Sequence, residues 1–171
     1  MVVFALPAYF ANSAPVVSGG KTPLDGGMKL SDGNRLLGAG KTIRGFFVGV
    51  AAGTLSAILL AWLFPAWFAP FISSINEKIF IGFLLAFGAL TGDVLGSFFK
   101  RRRGMKRGQP SLLSDKILFL ITALFFAVLF YPQLWLEISV EGMVFLLVLT
   151  YVLHLAFNAL AHGLKLKSVP W

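Results

Sequence analysis

Three stretches of this sequence are long enough to cross a bilayer and carry almost no charge. Residues 45–64 hold no charged side chain, residues 79–99 hold only Asp93, and residues 142–163 hold only two histidines. About 20 apolar residues cross ~30 Å of hydrocarbon. Water is absent there, so a helix that pairs its own backbone groups is the economical fold. Residues 117–131 form a shorter apolar run, which Leu112 and Leu113 extend through Asp115 and Lys116. Residues 1–11, interrupted by Pro7, read as a short or tilted first helix. The expectation is an all-α polytopic membrane protein of about five transmembrane helices, one integral domain over residues 1–171. Composition agrees: 57% of residues are hydrophobic and 13% charged, with a mean hydropathy of +0.83, which excludes an ordinary soluble domain. There are no cysteines, so disulfides and thiolate metal sites are excluded. No basic segment precedes the apolar N-terminus, so no cleaved leader is expected.

The loops alternate in charge. Residues 12–44 carry Lys21, Lys29, Arg35, Lys41 and Arg44, and residues 100–116 carry seven more cations, Lys100, Arg101, Arg102, Arg103, Lys106, Arg107 and Lys116. With Lys165 and Lys167 in the tail, fourteen of the fifteen cations fall on one side, together with all four aspartates, for a net +10. The other side holds Lys78 and three glutamates, a net −2. The positive-inside rule makes the basic side cytoplasmic, which puts the N-terminus outside and the C-terminus inside. A net charge of +8 distributed this way speaks for a membrane surface and phosphates, not for nucleic acid.

Where the third apolar run ends, a carboxylate is followed at once by four cations: Asp93, then Lys100-Arg101-Arg102-Arg103. Asp93, Ser97 and Lys100 share one helical face, with Asp93 roughly 10 Å deeper than Lys100. A carboxylate at mid-bilayer costs at least ~2.5 kcal/mol, so it faces a partner, a metal or water. Either Asp93 pairs with Lys41 or Arg44, or it holds a divalent cation under polyanionic phosphates. Asp115, at the start of the next helix, would approach it if the two helices are antiparallel neighbours. Two carboxylates with phosphate oxygens and water suit Mg²⁺, which rarely uses an all-protein cage. The arginines alone could equally anchor to lipid headgroups.

The long loop over residues 12–44 is dense in glycine and ends in Gly40-Lys41-Thr42. That tripeptide looks like the end of a phosphate-binding loop, but Arg35 occupies the position where G-x-x-x-x-G-K-[ST] needs glycine, so a Walker site is rejected. What remains is a cation and backbone N–H groups at a helix start, which attract anions; a surface loop with snorkelling lysines is the alternative. On the last helix Tyr151, His154, Asn158 and His162 form one polar stripe, best read as hydrogen bonding between helices. Small residues such as Gly49, Gly53, Gly88 and Gly92 mark close helix packing.

Together, Gly92-Asp93, Ser97, Lys100-Arg101 and Gly104-Met105-Lys106 resemble the signature of the CDP-diacylglycerol synthase (phosphatidate cytidylyltransferase) superfamily. Lys41-Thr42-Ile43-Arg44-Gly45 resembles its Lys-Thr-x-Glu-Gly element, with Arg44 in place of the glutamate. Asn12, Asp25, Asp32-Gly33 and the Pro110…Asp115 spacing look closer to the archaeal branch, the CDP-archaeol synthases. The chain reads Ser111-Leu112-Leu113-Ser114-Asp115 where the bacterial and eukaryotic pattern has His-Gly-Gly before an aspartate pair, and the second aspartate falls at Leu118. The resemblance implies transfer of CMP from CTP to an isoprenoid ether-lipid phosphate with Mg²⁺, releasing pyrophosphate. It implies that Asp93 and Asp115 lie at the metal. Lys100, Arg101, Arg102 and Lys106 would hold triphosphate or lipid phosphate, with Ser97 as a further substrate-binding residue. Lys41, Thr42 and Arg44, with Asn12, Asp25, Asp32 and Arg35, would form the nucleotide side. The competing expectations are a cation-coupled transporter centred on Asp93 and a CTP-dependent polyprenol kinase.

Overall fold

The structure, a computed structural model, describes residues 1–105, 109, 111 and 117–165. Among these the chain is helical, with only isolated bridges in place of strands. The elements in order are α1 (Val2–Ser18), α2 (Ile43–Leu63), α3 (Ile75–Arg102), α4 (Leu118–Phe130), the single turn α5 (Leu134–Glu137) and α6 (Val140–Gly163). Three of them, α2, α3 and α6, are long and apolar enough to cross a membrane, and α1 and α4 are shorter apolar helices.

The first helix departs most from expectation. It does not stop at residue 11 but runs to Ser18, through both Pro7 and Pro15. The cause is its neighbour. Gly45, Gly49 and Gly53 repeat every four residues along α2 and form a Cβ-free ridge. A Cβ at Gly53 would lie 2.6 Å from the Pro7 carbonyl oxygen, and one at Gly49 would lie 2.7 Å from that of Ala11. Pro15 has no N–H to offer the Ala11 carbonyl, and the α2 backbone closes over it instead. Tertiary packing thus extends a helix that local propensity would end.

Starts and stops elsewhere follow the sequence. Thr42 caps α2 by accepting from the Gly45 N–H at 3.1 Å, and Ser139 caps α6 by accepting from Gly142 at 3.0 Å. The last turn of α3 carries Lys100, Arg101 and Arg102, the charge sign that a helix C-terminus favours. At 28 residues α3 is about 42 Å long. It therefore outruns the ~30 Å hydrocarbon layer by about two turns.

Helices α1, α2 and α3 pack mutually, and α4 lies along α3. The core between them is built largely of alanine, with Phe68, Ile81, Leu85 and Leu120 fully buried among the larger side chains. On α3, a Cβ at Gly92 would sit 2.8 Å from both the Leu118 carbonyl oxygen and the Phe119 Cα. That contact sets α4 against the turn that carries Asp93. Helix α6 touches the bundle more lightly, through Leu146, the Tyr9 hydroxyl against Thr150 Oγ1 at 2.5 Å, and the Phe119 ring 6.3 Å from that of His154. The outward faces of α2, α4 and α6 expose large apolar residues such as Phe47, Leu55, Leu59, Phe125 and Phe157. At the end of the bundle opposite the arginines, Lys78 is buried and donates to the carbonyls of Pro65 and Phe68, which ties α3 to the turn after α2.

Candidate active site at the basic end of the bundle

The loop of residues 19–42 folds back on itself. Leu24 N–H donates to the Lys41 carbonyl at 2.7 Å and Ile43 N–H to that of Thr22 at 3.1 Å, so the two ends of the loop are joined. Asp25 organises what lies between. Its side chain has no solvent exposure and accepts Arg35 Nη2 at 2.7 Å and the N–H groups of Gly27, Leu37 and Gly38 at 3.0–3.1 Å. Burial pushes this carboxyl up, but the Arg35 hydrogen bond and the three backbone donors outweigh it and hold the pKa well below the usual carboxylate range. Asp32 accepts from the Asn34 backbone N–H, an Asx turn, which is the main reason its pKa is also lowered.

Arg102 latches this loop to α3. It donates to Asp32 at 2.6 Å and to the Arg35 carbonyl at 2.7 Å, and stands over the Phe98 ring at 5.4 Å. Arg101 reaches the other way: its Nη1 donates to Met105 O at 2.5 Å, and its Nε lies 3.4 Å from where a Cβ would stand on Gly38. The Nε–H groups of Arg35, Arg101 and Arg102 are buried without an acceptor among the described residues.

Under the loop lies a cavity of about 230 Å³ between the C-terminus of α1, the N-terminus of α2 and α3. Gly19, Gly20, Ala39 and Gly40 form its upper wall, with Lys41, Thr42, Pro15 and Phe46 along the sides and Leu90, Asp93 and Val94 from α3. On its wall Lys41 Nζ meets Asp93 Oδ2 at 2.5 Å, with the two side chains 25% and 30% exposed. Of the two pairings open in the sequence, Asp93 has taken Lys41. Gly20 is obligatory, since its φ is +149° and a Cβ would fall 2.5 Å from Thr42 Oγ1.

The expected site residues separate accordingly. Asp93, Lys41 and Thr42 line the cavity. Asp25, Asp32, Arg35 and Arg102 are engaged with one another in building the loop above it. Arg44 is exposed and borders a second hollow with Lys21 and Ile43, beyond the Gly20–Thr42 wall. Asn12 and Ser97 are half-buried and do not line the cavity, and Lys100 is half-buried in the last turn of α3. Asp115 and Lys106 lie outside the described residues. Sequence reasoning looked to Asn12 of α1 and missed what the end of that helix contributes. Pro15 and the Gly19-Gly20 pair are cavity walls, and the only local signal was a glycine pair before Lys21.

Among the described residues no three His, Cys, Asp or Glu side chains converge as a metal cage. One cavity carboxylate beside an open volume nonetheless fits a hard cation that brings its remaining oxygen ligands as water and phosphate, the habit of Mg²⁺.

The CDP-archaeol synthase (CarS-like) family model matches residues 1–171. CDP-archaeol synthase of Thermococcus gammatolerans is 49% identical over 168 residues, covering 98% of this chain and 93% of the relative. That of Archaeoglobus fulgidus is 44% identical, covering 97% and 93%. A solved structure described as an intramembrane enzyme for archaeal membrane lipids biosynthesis superposes with a TM-score of 0.78 at 37% identity, covering 92% of this chain and 91% of that one. A family model over the whole length and relatives near half identity leave one assignment: the chain belongs to the CDP-archaeol synthase family.

Proposed function

We propose that this multi-pass membrane protein transfers CMP from CTP to the phosphate of an isoprenoid glycerol ether lipid at the Lys41–Asp93 cavity, with Mg²⁺. Family membership supports the reaction. The observation that carries the site is the meeting of Lys41 and Asp93 in a glycine-walled cavity beneath a basic rim.

The lipid phosphate is already an anionic nucleophile, so the reaction needs no general base. Its oxygen attacks the α-phosphorus of CTP, and the bond to the leaving pyrophosphate breaks. The barrier lies in bringing two anions together and in the charge that develops on pyrophosphate. Lys41 and the Gly40–Thr42 backbone line the cavity that would receive the phosphates, and Lys100 and Arg101, in the last turn of α3, would add positive charge; positioning and charge stabilisation are their contribution. Thr42 holds the start of α2 and the Gly19–Gly20 wall in register. Asp93, with Asp115 from the segment before α4, would hold Mg²⁺, which supplies further neutralisation of the phosphate oxygens. Asp25, Asp32, Arg35 and Arg102 act by shaping the lid over the nucleotide.

The orientation belongs to the same proposal. Helices α1, α2, α3, α4 and α6 would supply five crossings, with the loop of residues 19–42 and the arginines on the cytoplasmic side, where CTP is found. The charge asymmetry supports it, as do Trp62, Trp67 and Trp135, all exposed at the opposite end of the bundle, where an aromatic belt belongs.

Pyrophosphate release by the purified chain, given CTP, Mg²⁺ and a geranylgeranyl ether-lipid phosphate, tests the proposal. Release that needs all three and disappears in Asp93→Asn is the expected result. Release of CDP in place of pyrophosphate would overturn it in favour of a kinase.

A further inference from the structure

The geometry points to Lys41 as an exchangeable counter-ion: its ammonium holds the Asp93 carboxylate until a divalent cation takes that oxygen, then moves to the nucleotide phosphates. This rests on Asp93 being the carboxylate that faces the metal.

Lys41 Nζ lies 2.5 Å from Asp93 Oδ2, and no other ion-pair partner of Asp93 is found among the described residues. An ammonium at that distance and a divalent cation ligated by the same oxygen repel strongly, so they cannot share it. Asp93 cannot simply stand unpaired in their absence, because a partly buried carboxylate on an apolar helix needs a compensating charge. Lys41 is built for such an exchange. A lysine carries its charge on a flexible four-carbon stem as a compact point, with none of the fixed fork geometry of arginine. Its backbone is anchored, since the Lys41 carbonyl accepts from Leu24 N–H and its own N–H donates to Gly38. Only the side chain is left to swing. Both partners line one cavity of about 230 Å³, so the ammonium can leave Asp93 without leaving the site. The Gly19, Gly20 and Gly40 walls place no side chain in its way. The positive charge released from Asp93 is thereby delivered to the incoming triphosphate.

Reductive methylation of the intact, detergent-solubilised chain, read residue by residue by mass spectrometry, tests this without turnover. Lys21, which is exposed, serves as the internal reference. Lys41 is expected to label slowly alone and at least threefold faster with Mg²⁺ at constant ionic strength, then slowly again with Mg²⁺ and CTP. Lys21 should stay constant throughout. In Asp93→Asn, Lys41 should label fast from the start and ignore Mg²⁺. In Lys41→Met, Mn²⁺ binding without nucleotide should tighten at least tenfold, because its competitor is gone. Lys41 labelling in the native chain that ignores Mg²⁺ at concentrations supporting turnover would overturn the exchange, whatever the fate of the Met variant. If Asp93→Asn keeps full cytidylyl transfer, the metal reading itself fails, which is a distinguishable result.

Discussion

Replacing Asp25 by alanine should melt the loop over the cavity while leaving the bundle folded. The carboxylate is solvent-inaccessible and accepts one guanidinium and three backbone N–H groups. Breaking a buried ion pair by deleting one partner costs about 3–5 kcal/mol. The lower end applies here, because the Arg35 side chain is 28% exposed and water can take up part of its charge. A loss of about 3 kcal/mol corresponds to roughly a hundredfold in a local opening equilibrium. Amide hydrogen exchange at Gly27, Leu37 and Gly38 should therefore accelerate about a hundredfold, with faster proteolysis in residues 19–42. Thermal unfolding of the helices should barely move, since none of the lost contacts reaches the α1–α2–α3 core. Asp25→Asn, which keeps an acceptor but not the charge, should give an intermediate acceleration of about tenfold. Amides in Asp25→Ala as protected as in the native chain would refute the assignment of Asp25 as the loop's organiser.

Three further expectations follow from the geometry. Gly92→Ala forces a methyl into the α4 backbone, an overpacking cost of about 1–3 kcal/mol, and should lower both melting temperature and activity by shifting the turn that bears Asp93; an unchanged melting temperature would contradict the close contact. Lys78→Met strips the buried Phe68 carbonyl and the part-buried Pro65 carbonyl of their donor, at about 1–3 kcal/mol, and should lower thermal stability without altering the response to CTP concentration. Loop order should also depend on pH: with Asp25 and Asp32 both depressed when folded, their stabilisation is fully present above the unfolded carboxyl pKa of about 3.9 and is lost as pH falls through it toward the folded values. Exchange in residues 19–42 should be flat from pH 7 to 5 after correction for intrinsic rates and rise below pH 4, and a rise near neutrality would show another group in control.

The helices were legible because bilayer-length apolar runs leave few alternatives, and their ends moved by only a few residues where a cap or an arginine cluster decided them. Helix α1 was misjudged because proline is a local signal and the Gly45–Gly49–Gly53 ridge that overrides it belongs to another helix. At the site, Asp93 stood out as a lone carboxylate in an apolar run, and Lys41 as a cation before a helix. The division of labour among the remaining charges was not legible. Asp25 and Arg102 are as polar in sequence as Lys41, and only the folded loop shows that both bind the loop's own backbone, at Leu37 and Arg35, while Lys41 faces the cavity.

Because Leu24 pairs with Lys41 and Thr22 with Ile43, the loop enters and leaves the bundle at nearly one point. Its tip around Ser31–Asn34 is therefore mechanically uncoupled from the distance between α1 and α2. What fixes the tip instead is the Arg102 grip on Asp32 and the Asp32–Asn34 turn, so its position follows the end of α3 and not the spacing of the two helices it connects.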